Sequence, residues 1–174
     1  MTTMEVVRID TFGSREVMKF RQLPIPTPGP NEILLKAKAA SINPVDWKIR
    51  EGQYPAVKSD KLPYVLGRDV SGVVEACGTE TAGHQKGDEI YAMLGFDRGA
   101  YAEHVIVKTN EAAPKPSSID YLAAAGVPLA GLTAWQGLLR YGELKGNHPF
   151  STAGGPIAFA LREQVSQIFH SGGA

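Results

Sequence analysis

Apolar and polar positions alternate over short stretches of residues 1–107, and turn residues separate these stretches. Alternation of this kind predicts strands, which we expect in chain order at Met18–Arg21, Ile33–Ala39, Ser71–Cys77, Asp88–Met93 and Ala100–Val107. Four prolines within residues 24–30 exclude a helix there and indicate an extended connection. Gly67, Gly72 and Gly78 indicate bulges or sharp bends. Several short strands at this spacing are typical of a barrel or a sandwich.

A short helix interrupts the strand pattern. Asn43 suits the N-cap position and Pro44 suits the first helical position. The helix continues through Val45–Arg50 and ends at Gly52. The side-chain amide of Asn43 would point toward the start of this helix, and an amide can both donate and accept hydrogen bonds.

Helical periodicity replaces the alternation beyond Val107. Ser117 and Asp120 form a loose capping-box pair before the sequence YLAAAG. A further helical stretch closes at Gly142, and its apolar residues, which we expect in the core, are Leu129, Leu132, Trp135, Leu138 and Leu139.

The C-terminal stretch differs again. Residues 146–156 are rich in turn residues and predict a linker, after which Gly155 and Pro156 suit the start of a helix. That helix carries one apolar stripe, made of Ile157, Leu161, Val165, Ile168 and Phe169. We expect a short amphipathic C-terminal helix that either folds back on the strand region or pairs with a second copy of the chain.

The composition narrows the class of protein. The chain has 174 residues, 18 Lys and Arg against 18 Asp and Glu, and 43% hydrophobic residues, which suits one domain or one domain with an appendage. Zero formal net charge argues against nucleic acid and an anionic membrane as partners. The single Cys77 excludes an internal disulfide framework and fits a reducing compartment. Signal-peptide and membrane-helix patterns are absent from the sequence, so we expect a cytoplasmic protein.

Four motifs occur in order along the chain: SINPVDWKIREGQYP (41–55), LGRDVSGVVEACG (66–78), KGDEIYAMLGFDRGAYAEHVIV (86–107) and AAAGVPLAGLTAWQGLL (123–139). Together they resemble the medium-chain dehydrogenase/reductase superfamily, and within it the zinc-independent branch of quinone-oxidoreductase-like and enoyl-reductase-like enzymes. The resemblance implies a mainly β fold with a few helices, arranged as a partly opened GroES-like β-barrel. In that superfamily the barrel is the catalytic domain and packs on a Rossmann domain that binds NAD(P)H.

The resemblance also implies roles for four residues, and each has an ordinary alternative. Asn43 matches an asparagine beside the nicotinamide ribose and the substrate, or it is a simple N-cap, and one residue could do both. Asp46 is either a cofactor-side residue or a solvated acid of the first helical turn. Tyr54 either lines the substrate pocket, where its hydroxyl would donate to a carbonyl oxygen, or is an ordinary half-buried loop tyrosine. Thr133 either lies near the nicotinamide or bonds back to its own helical turn.

The zinc ligands of other members of the superfamily are replaced here. Asn43 stands at the position of a cysteine, and Gly67 is followed by Arg68 and Asp69 instead of histidine and glutamate. Arginine stays protonated and cannot ligate zinc. None of the four histidines has ligand spacing with Cys77. We therefore expect zinc-independent hydride delivery from NADPH to a quinone or an activated C=C bond.

The resemblance ends at the sequence GELK (142–145), where the Rossmann domain of the relatives should start. The sequence GNHPFSTAGGPIAFAL follows, in which Ile157 occupies the third glycine position and Pro156 has no N–H for a phosphate. We therefore expect a GroES-like catalytic domain at 1–145, and at 146–174 a linker and short helix in place of the nucleotide-binding domain, so that we do not expect this chain to be a self-sufficient enzyme. The exposed inter-domain face or that helix would then support homo-oligomers. Two alternatives are a non-enzymatic GroES-like binding module and an inert truncated fragment.

Overall fold

Two antiparallel sheets account for the strands of the region that the computed structural model describes, residues 2–137. The three-stranded sheet has the order β2-β1-β4, with β1 at Thr3–Ile9, β2 at Met18–Pro24 and β4 at Tyr64–Val65. The five-stranded sheet has the order β7-β3-β5-β6-β8, and its strands are β3 (Glu32–Ala40), β5 (Asp69–Cys77), β6 (Glu89–Met93), β7 (His104–Lys108) and β8 (Ala112–Pro114). The larger sheet curls into a half-barrel, which confirms the expected mainly β fold and partly opened barrel.

Most predicted strands are present, but the last one is wrong over its first half. Residues 100–103 turn toward the three-stranded sheet, where Val7 N–H donates to the Tyr101 carbonyl oxygen at 2.8 Å, while the Glu103 carbonyl oxygen still accepts from the Ala37 N–H of β3 at 2.9 Å. The same segment also meets the chain before β5, because Tyr101 N–H donates to the Leu66 carbonyl oxygen at 2.9 Å. Alternation could not show this change of partner, since both sheets place one face toward the core.

Two clusters of buried apolar side chains form the core. One lies within the five-stranded sheet and includes Ile33, Leu35, Val70, Val74, Ile90, Leu94 and Val107. The other joins β1, β4 and the helix α1 (Pro44–Arg50) through Ile9, Ile49, Val57, Tyr64 and Leu66. Cys77 packs, partly buried, against the first cluster, in keeping with a small apolar side chain. Ile49 therefore holds α1 against the barrel.

Glycine is required where the chain enters β5. Gly67 has φ of +96°, and a Cβ built on it would lie 2.5 Å from a ring carbon of Tyr101. Gly72 faces β3 so closely that a Cβ would lie 2.2 Å from the Lys36 carbonyl oxygen, and the β3–β5 register shifts just beyond it, between Ala37 and Ala39. Gly67 therefore marks the predicted bend, whereas the register irregularity beside Gly72 lies on the facing strand, where Lys38 is the extra residue.

Two further short helices follow the sheets. The helix α2 spans Tyr121–Ala125, and its cap is Asp120, whose Oδ1 accepts from the Ala123 N–H at 2.8 Å. The helix α3 spans Pro128–Trp135, and the chain divides into two compact units between Pro128 and Leu129. Leu132 and Trp135 are 42% and 45% exposed, so their predicted place in the core is wrong. Helical spacing predicts an apolar stripe but not that something covers it. Leu138, Leu139 and the predicted C-terminal helix lie outside the described residues.

Candidate active site at the start of the first helix

The side-chain amide of Asn43 is buried between the end of β3 and the start of α1. Asn43 is the N-cap of α1, with extended backbone angles (φ −112°, ψ 157°), and Pro44 follows at the first helical position, as predicted. Its Nδ2 donates to Asp69 Oδ2 at 2.9 Å and to Ser41 Oγ at 3.0 Å. Ser41 Oγ in turn donates to Asp69 Oδ2 at 3.0 Å. A carboxylate only accepts, which fixes the orientation of the amide.

This network determines what Asn43 can offer to a ligand. An amide NH₂ group has two hydrogens, and both are used by Ser41 and Asp69. The carbonyl oxygen has two lone pairs, of which the helix start uses at most one. Asn43 can therefore only accept a hydrogen bond from a bound molecule, and the matching group on that molecule is a hydroxyl or an N–H.

Asp46 is buried, so the solvated first-turn alternative is wrong. It is 3% exposed, and its Oδ2 accepts from the Asn43 N–H at 2.6 Å and from the Tyr101 hydroxyl at 3.2 Å. Burial raises the pKa of this carboxyl above its ordinary value, and the nearby charge of Asp69 adds to that rise, although its two hydrogen bonds oppose it. Among the described residues, Asp46 Oδ1 has no hydrogen-bond partner.

Arg68 brings a cation into the same buried region. It is 5% exposed, and its guanidinium carbon lies 3.6 Å from the centroid of the Phe96 ring. Within the described part of the chain, neither Nε nor Nη1 of Arg68 has a hydrogen-bond partner. Burial lowers the pKa of this guanidinium, and the charges of Asp69 and Asp46 oppose that effect. From the sequence, Arg68 stood out only as a residue that cannot bind zinc. Its position as a charged residue at the start of the mostly apolar strand β5 was a signal that it is buried.

Two tyrosines complete the cluster. The Tyr101 hydroxyl lies 3.2 Å from Asp46 Oδ2 and 3.3 Å from the Ser41 carbonyl oxygen, so it has two acceptors for one proton. Burial raises the pKa of Tyr101 well above its usual range. The Tyr54 ring is half-buried with its centroid 5.1 Å from that of Phe96. Tyr54 is therefore joined to Arg68 through Phe96, whereas Tyr101 was not found from the sequence.

The predicted residues fall into two groups. Asn43, Asp46 and Tyr54 lie in the first compact unit, where Asn43 is hydrogen-bonded to Asp46 and Asp69 and where Asp46 and Tyr54 act electrostatically on Arg68. Thr133 lies in the second unit, where its Oγ1 donates to the Leu129 carbonyl oxygen of its own helix at 2.7 Å. That bond is the ordinary alternative named above, and a contact of Thr133 with the nicotinamide stays a prediction.

The described residues hold neither a clustered set of metal ligands nor a helix suited to span a membrane. Residues 2–137 contain no group of three or more His, Cys, Asp or Glu side chains that could hold a metal ion. They also include no helix of the length and apolarity that crossing a membrane requires.

A partly opened antiparallel barrel, with a short helix whose cap joins two buried carboxylates, defines the class of GroES-like catalytic barrels. The chain belongs to the alcohol dehydrogenase GroES-like domain family, whose model matches residues 29–117. That range contains Ser41, Asn43, Asp46, Arg68 and Tyr101, so the whole hydrogen-bonded cluster lies inside the matched domain.

Proteins named as oxidoreductases are among the relatives of this chain. The mitochondrial NAD(P)H oxidoreductase RTN4IP1 of Bos taurus is 38% identical over 82% of this chain and 40% of its own length. The structure of the quinone oxidoreductase from Coxiella burnetii matches with a TM-score of 0.75 and 35% identity, over 80% of this chain and 45% of that one. A mycobacterial protein solved in complex with NADPH matches with a TM-score of 0.74 and 33% identity, over 82% and 42%. The chain thus spans less than half the length of each of these three proteins.

Proposed function

We propose that the chain forms the catalytic barrel of an NADPH-dependent oxidoreductase that reduces quinones, enones or enoyl thioesters without zinc. The observation that carries this proposal is the similarity to a quinone oxidoreductase at 35% identity over 80% of the chain. The mycobacterial relative solved with NADPH supports the choice of cofactor. The chain would supply orientation and hydrogen bonds, while the cofactor would supply the hydride.

The side-chain carbonyl oxygen of Asn43 is the group that could bind a nicotinamide nucleotide. Its NH₂ is committed to Ser41 and Asp69, so only its carbonyl oxygen can meet a ligand. The hydroxyls of a ribose are donors that match this acceptor. Asp46 would act on the cofactor side through Asn43, whose N–H it accepts at 2.6 Å. Thr133 is proposed as a second contact to the nicotinamide.

Tyr54 is the proposed contact to the substrate. A quinone or enone gains negative charge on its carbonyl oxygen as hydride adds, and a donated hydrogen bond stabilises that oxygen. Tyr54 carries a phenolic donor, and its ring packs beside Phe96 with the centroids 5.1 Å apart, which limits the motion of the ring. Together with Asn43 it would hold the reacting groups in place.

The zinc-independent chemistry rests on the side chains that meet at the cluster. The position of the zinc-ligating cysteine holds Asn43, and that of histidine and glutamate holds Arg68 and Asp69. The structure brings these positions together, with Asn43 Nδ2 2.9 Å from Asp69 Oδ2. The Arg68 guanidinium repels a divalent cation and cannot ligate one, which supports hydride transfer without a metal.

The test is a calorimetric titration of the purified full chain with NADPH, followed by an assay of NADPH consumption with an electrophilic quinone. Because the resemblance assigns most of the dinucleotide contacts to a Rossmann domain, we expect weak but saturable NADPH binding and slow quinone reduction, and Asn43→Ala should lower the rate at least about tenfold because the positioned acceptor is lost. Asn110→Ala is the matched control, since Asn110 is exposed and lies outside the cluster. Absence of binding up to millimolar NADPH, or equal rates for the two variants, would contradict the proposal.

A second candidate is a non-enzymatic binding module, which is favoured by the exposed side chains beside the cluster. Ile42 is 84% exposed and Trp47 is 42% exposed, although both are large and apolar. A second copy of the chain would be the partner. Sedimentation should then show self-association that Ile42→Ser weakens, without any NADPH binding. In either case we propose the cytoplasm as the compartment, because the one cysteine, Cys77, is unpaired.

A further inference from the structure

Arg68 carries hydrogen-bonding capacity that the described part of the fold leaves unused. A guanidinium taken out of water loses strong hydration, and buried cations are normally paired and hydrogen-bonded. Arg68 is 5% exposed, and its Nε and Nη1 have no hydrogen-bond partner among residues 2–137. Its guanidinium carbon lies 3.6 Å from the centroid of the Phe96 ring, and the face of this ring offsets only part of the cost. A ligand that accepts from the guanidinium would account for a cation held in this place.

Nη2 is the nitrogen of Arg68 that a ligand can reach. Protein atoms cover Nε and Nη1 completely, so neither can contact a bound molecule. Nη2 keeps access to solvent, and it forms no hydrogen bond with the residues that the structure describes. The guanidinium therefore presents one NH₂ group, which has two donors, no acceptor and a share of the positive charge. Such a group selects an oxygen acceptor, and it binds a negatively charged oxygen more strongly than a neutral one.

The Phe96 ring also holds a second donor. The Tyr54 ring lies with its centroid 5.1 Å from that of Phe96 and with its plane inclined by 35°. Tyr54 is half-buried and brings a phenolic hydroxyl. Two side chains that pack on one ring, one cationic and one phenolic, are suited to stabilise negative charge on an oxygen. The ligand that this arrangement fits is a molecule whose oxygen carries or gains such a charge.

We propose that Arg68 is a substrate-binding residue, which donates through Nη2 to the substrate oxygen that becomes negatively charged as hydride adds. The identity of that oxygen rests on the proposed function, whereas the binding of an anionic oxygen does not. In an enone, hydride from the nicotinamide, which is thereby oxidised, forms a C–H bond at one carbon of the C=C bond. The displaced π electrons leave a negative charge on the carbonyl oxygen, and Arg68 stabilises this charge until a proton from water neutralises it.

The experiment compares the binding of two probes to the full chain by calorimetry. Dinitrophenolate is an anion at neutral pH and resembles the charged oxygen on a ring, and dinitrobenzene has the same ring and nitro groups without that oxygen. Four proteins are compared: wild type, Arg68→Met, Arg68→Lys and Arg21→Met. Arg21 is the control because its side chain is 43% exposed and pairs with Asp10 at 3.1 Å. The measured quantity is the ratio of the two affinities in each protein.

Wild type should bind dinitrophenolate at least about tenfold more tightly than dinitrobenzene, because a hydrogen bond between charged groups is a strong one. Arg68→Met should abolish this preference while it keeps the bulk of the side chain. Arg68→Lys should keep part of it, because an ammonium also donates to an anion. Arg21→Met should leave the ratio as in wild type. A merely structural role would lower the melting temperature of Arg68→Met and leave the ratio unchanged, and that result would overturn the proposal.

The proposal stays testable if Arg68→Met does not fold. The ¹⁵N signals of the Arg68 guanidinium in wild type, identified by their loss in Arg68→Lys, should then shift saturably with dinitrophenolate and not with dinitrobenzene. Absence of any shift would overturn the proposal. Neither measurement needs a cofactor. A chain that distinguishes the probes as expected but fails to bind NADPH would contradict the proposed function only, and the reverse outcome would contradict the role of Arg68 only.

Discussion

Replacing Gly67 by alanine tests how the entry to β5 positions the site. The residue has φ of +96°, where a Cβ is strained, and that strain costs about 1–3 kcal/mol. The new Cβ would also lie 2.5 and 2.7 Å from two ring carbons of Tyr101 and 3.0 Å from its backbone nitrogen. Such overpacking adds about 1–3 kcal/mol. We therefore expect Gly67→Ala to lower the free energy of unfolding by about 2–6 kcal/mol.

Gly87→Ala is the matched control, because Gly87 has φ of +98° and a Cβ built there would meet nothing within 4 Å. It should show the strain alone, about 1–3 kcal/mol. The assay is urea unfolding of the full chain followed by far-ultraviolet circular dichroism, with the midpoints and slopes of the three proteins compared. Equal destabilisation by the two substitutions would refute the reasoning, because the contact with Tyr101 would then contribute nothing.

Three further predictions concern the barrel and the cluster. Ile49→Ala should destabilise the chain by about 2–5 kcal/mol in urea unfolding, because Ile49 is fully buried. Ile42→Ala is the control and should change stability by less than about 0.5 kcal/mol, because Ile42 is exposed. Similar effects of the two substitutions would refute the assignment of Ile49 to the core. Tyr101→Phe should cost about 1–3 kcal/mol in the same assay, since it removes the hydroxyl that donates to the buried Asp46 carboxylate; an unchanged midpoint would contradict the hydrogen bond. Burial raises the pKa of Asp46 in the folded chain above its ordinary value, so the folded state binds the proton more tightly than the unfolded state does. The free energy of unfolding should therefore fall as the pH rises from about 4 through the pKa of the folded state. Asp46→Asn should lack this fall, and a pH dependence of unfolding identical to that of wild type would contradict the prediction.

The local pattern was sufficient for α1 and for four of the strands. Alternation is a property of single strands with one buried face, and a cap followed by proline is a property of one helix end, so neither needs knowledge of the rest of the fold. The strand β1 was not predicted, because its adjacent Val6 and Val7 interrupt the alternation. The strand β4 has only two residues and exists because Tyr64 and Val65 pair with β1. Elements of this kind depend on tertiary contacts.

In the candidate site too, local sequence pattern predicted some features and tertiary contacts determined the others. The resemblance selected Asn43, Asp46 and Tyr54; in the structure Asn43 N–H donates to Asp46, and the Tyr54 ring packs on Phe96. The sequence favoured a solvated Asp46, because an acid in the first turn of an isolated helix faces water. In the fold, Tyr101 reaches Asp46 from a segment 55 positions away along the chain. Spacing within one motif could not reveal that contact.

The register between β3 and β5 is what creates the site. Ala40 pairs with Val70, so Ser41 and Asn43, just beyond the end of β3, arrive beside Asp69 at the start of β5. A slip of one residue would turn Asp69 to the opposite face of the sheet, because side chains alternate along a strand. Gly72 is needed for this register, because a Cβ at this position would lie 2.2 Å from the Lys36 carbonyl oxygen of β3. Gly72 therefore fixes the strand pairing that places the Asp69 carboxylate, three residues earlier in β5, beside Asn43.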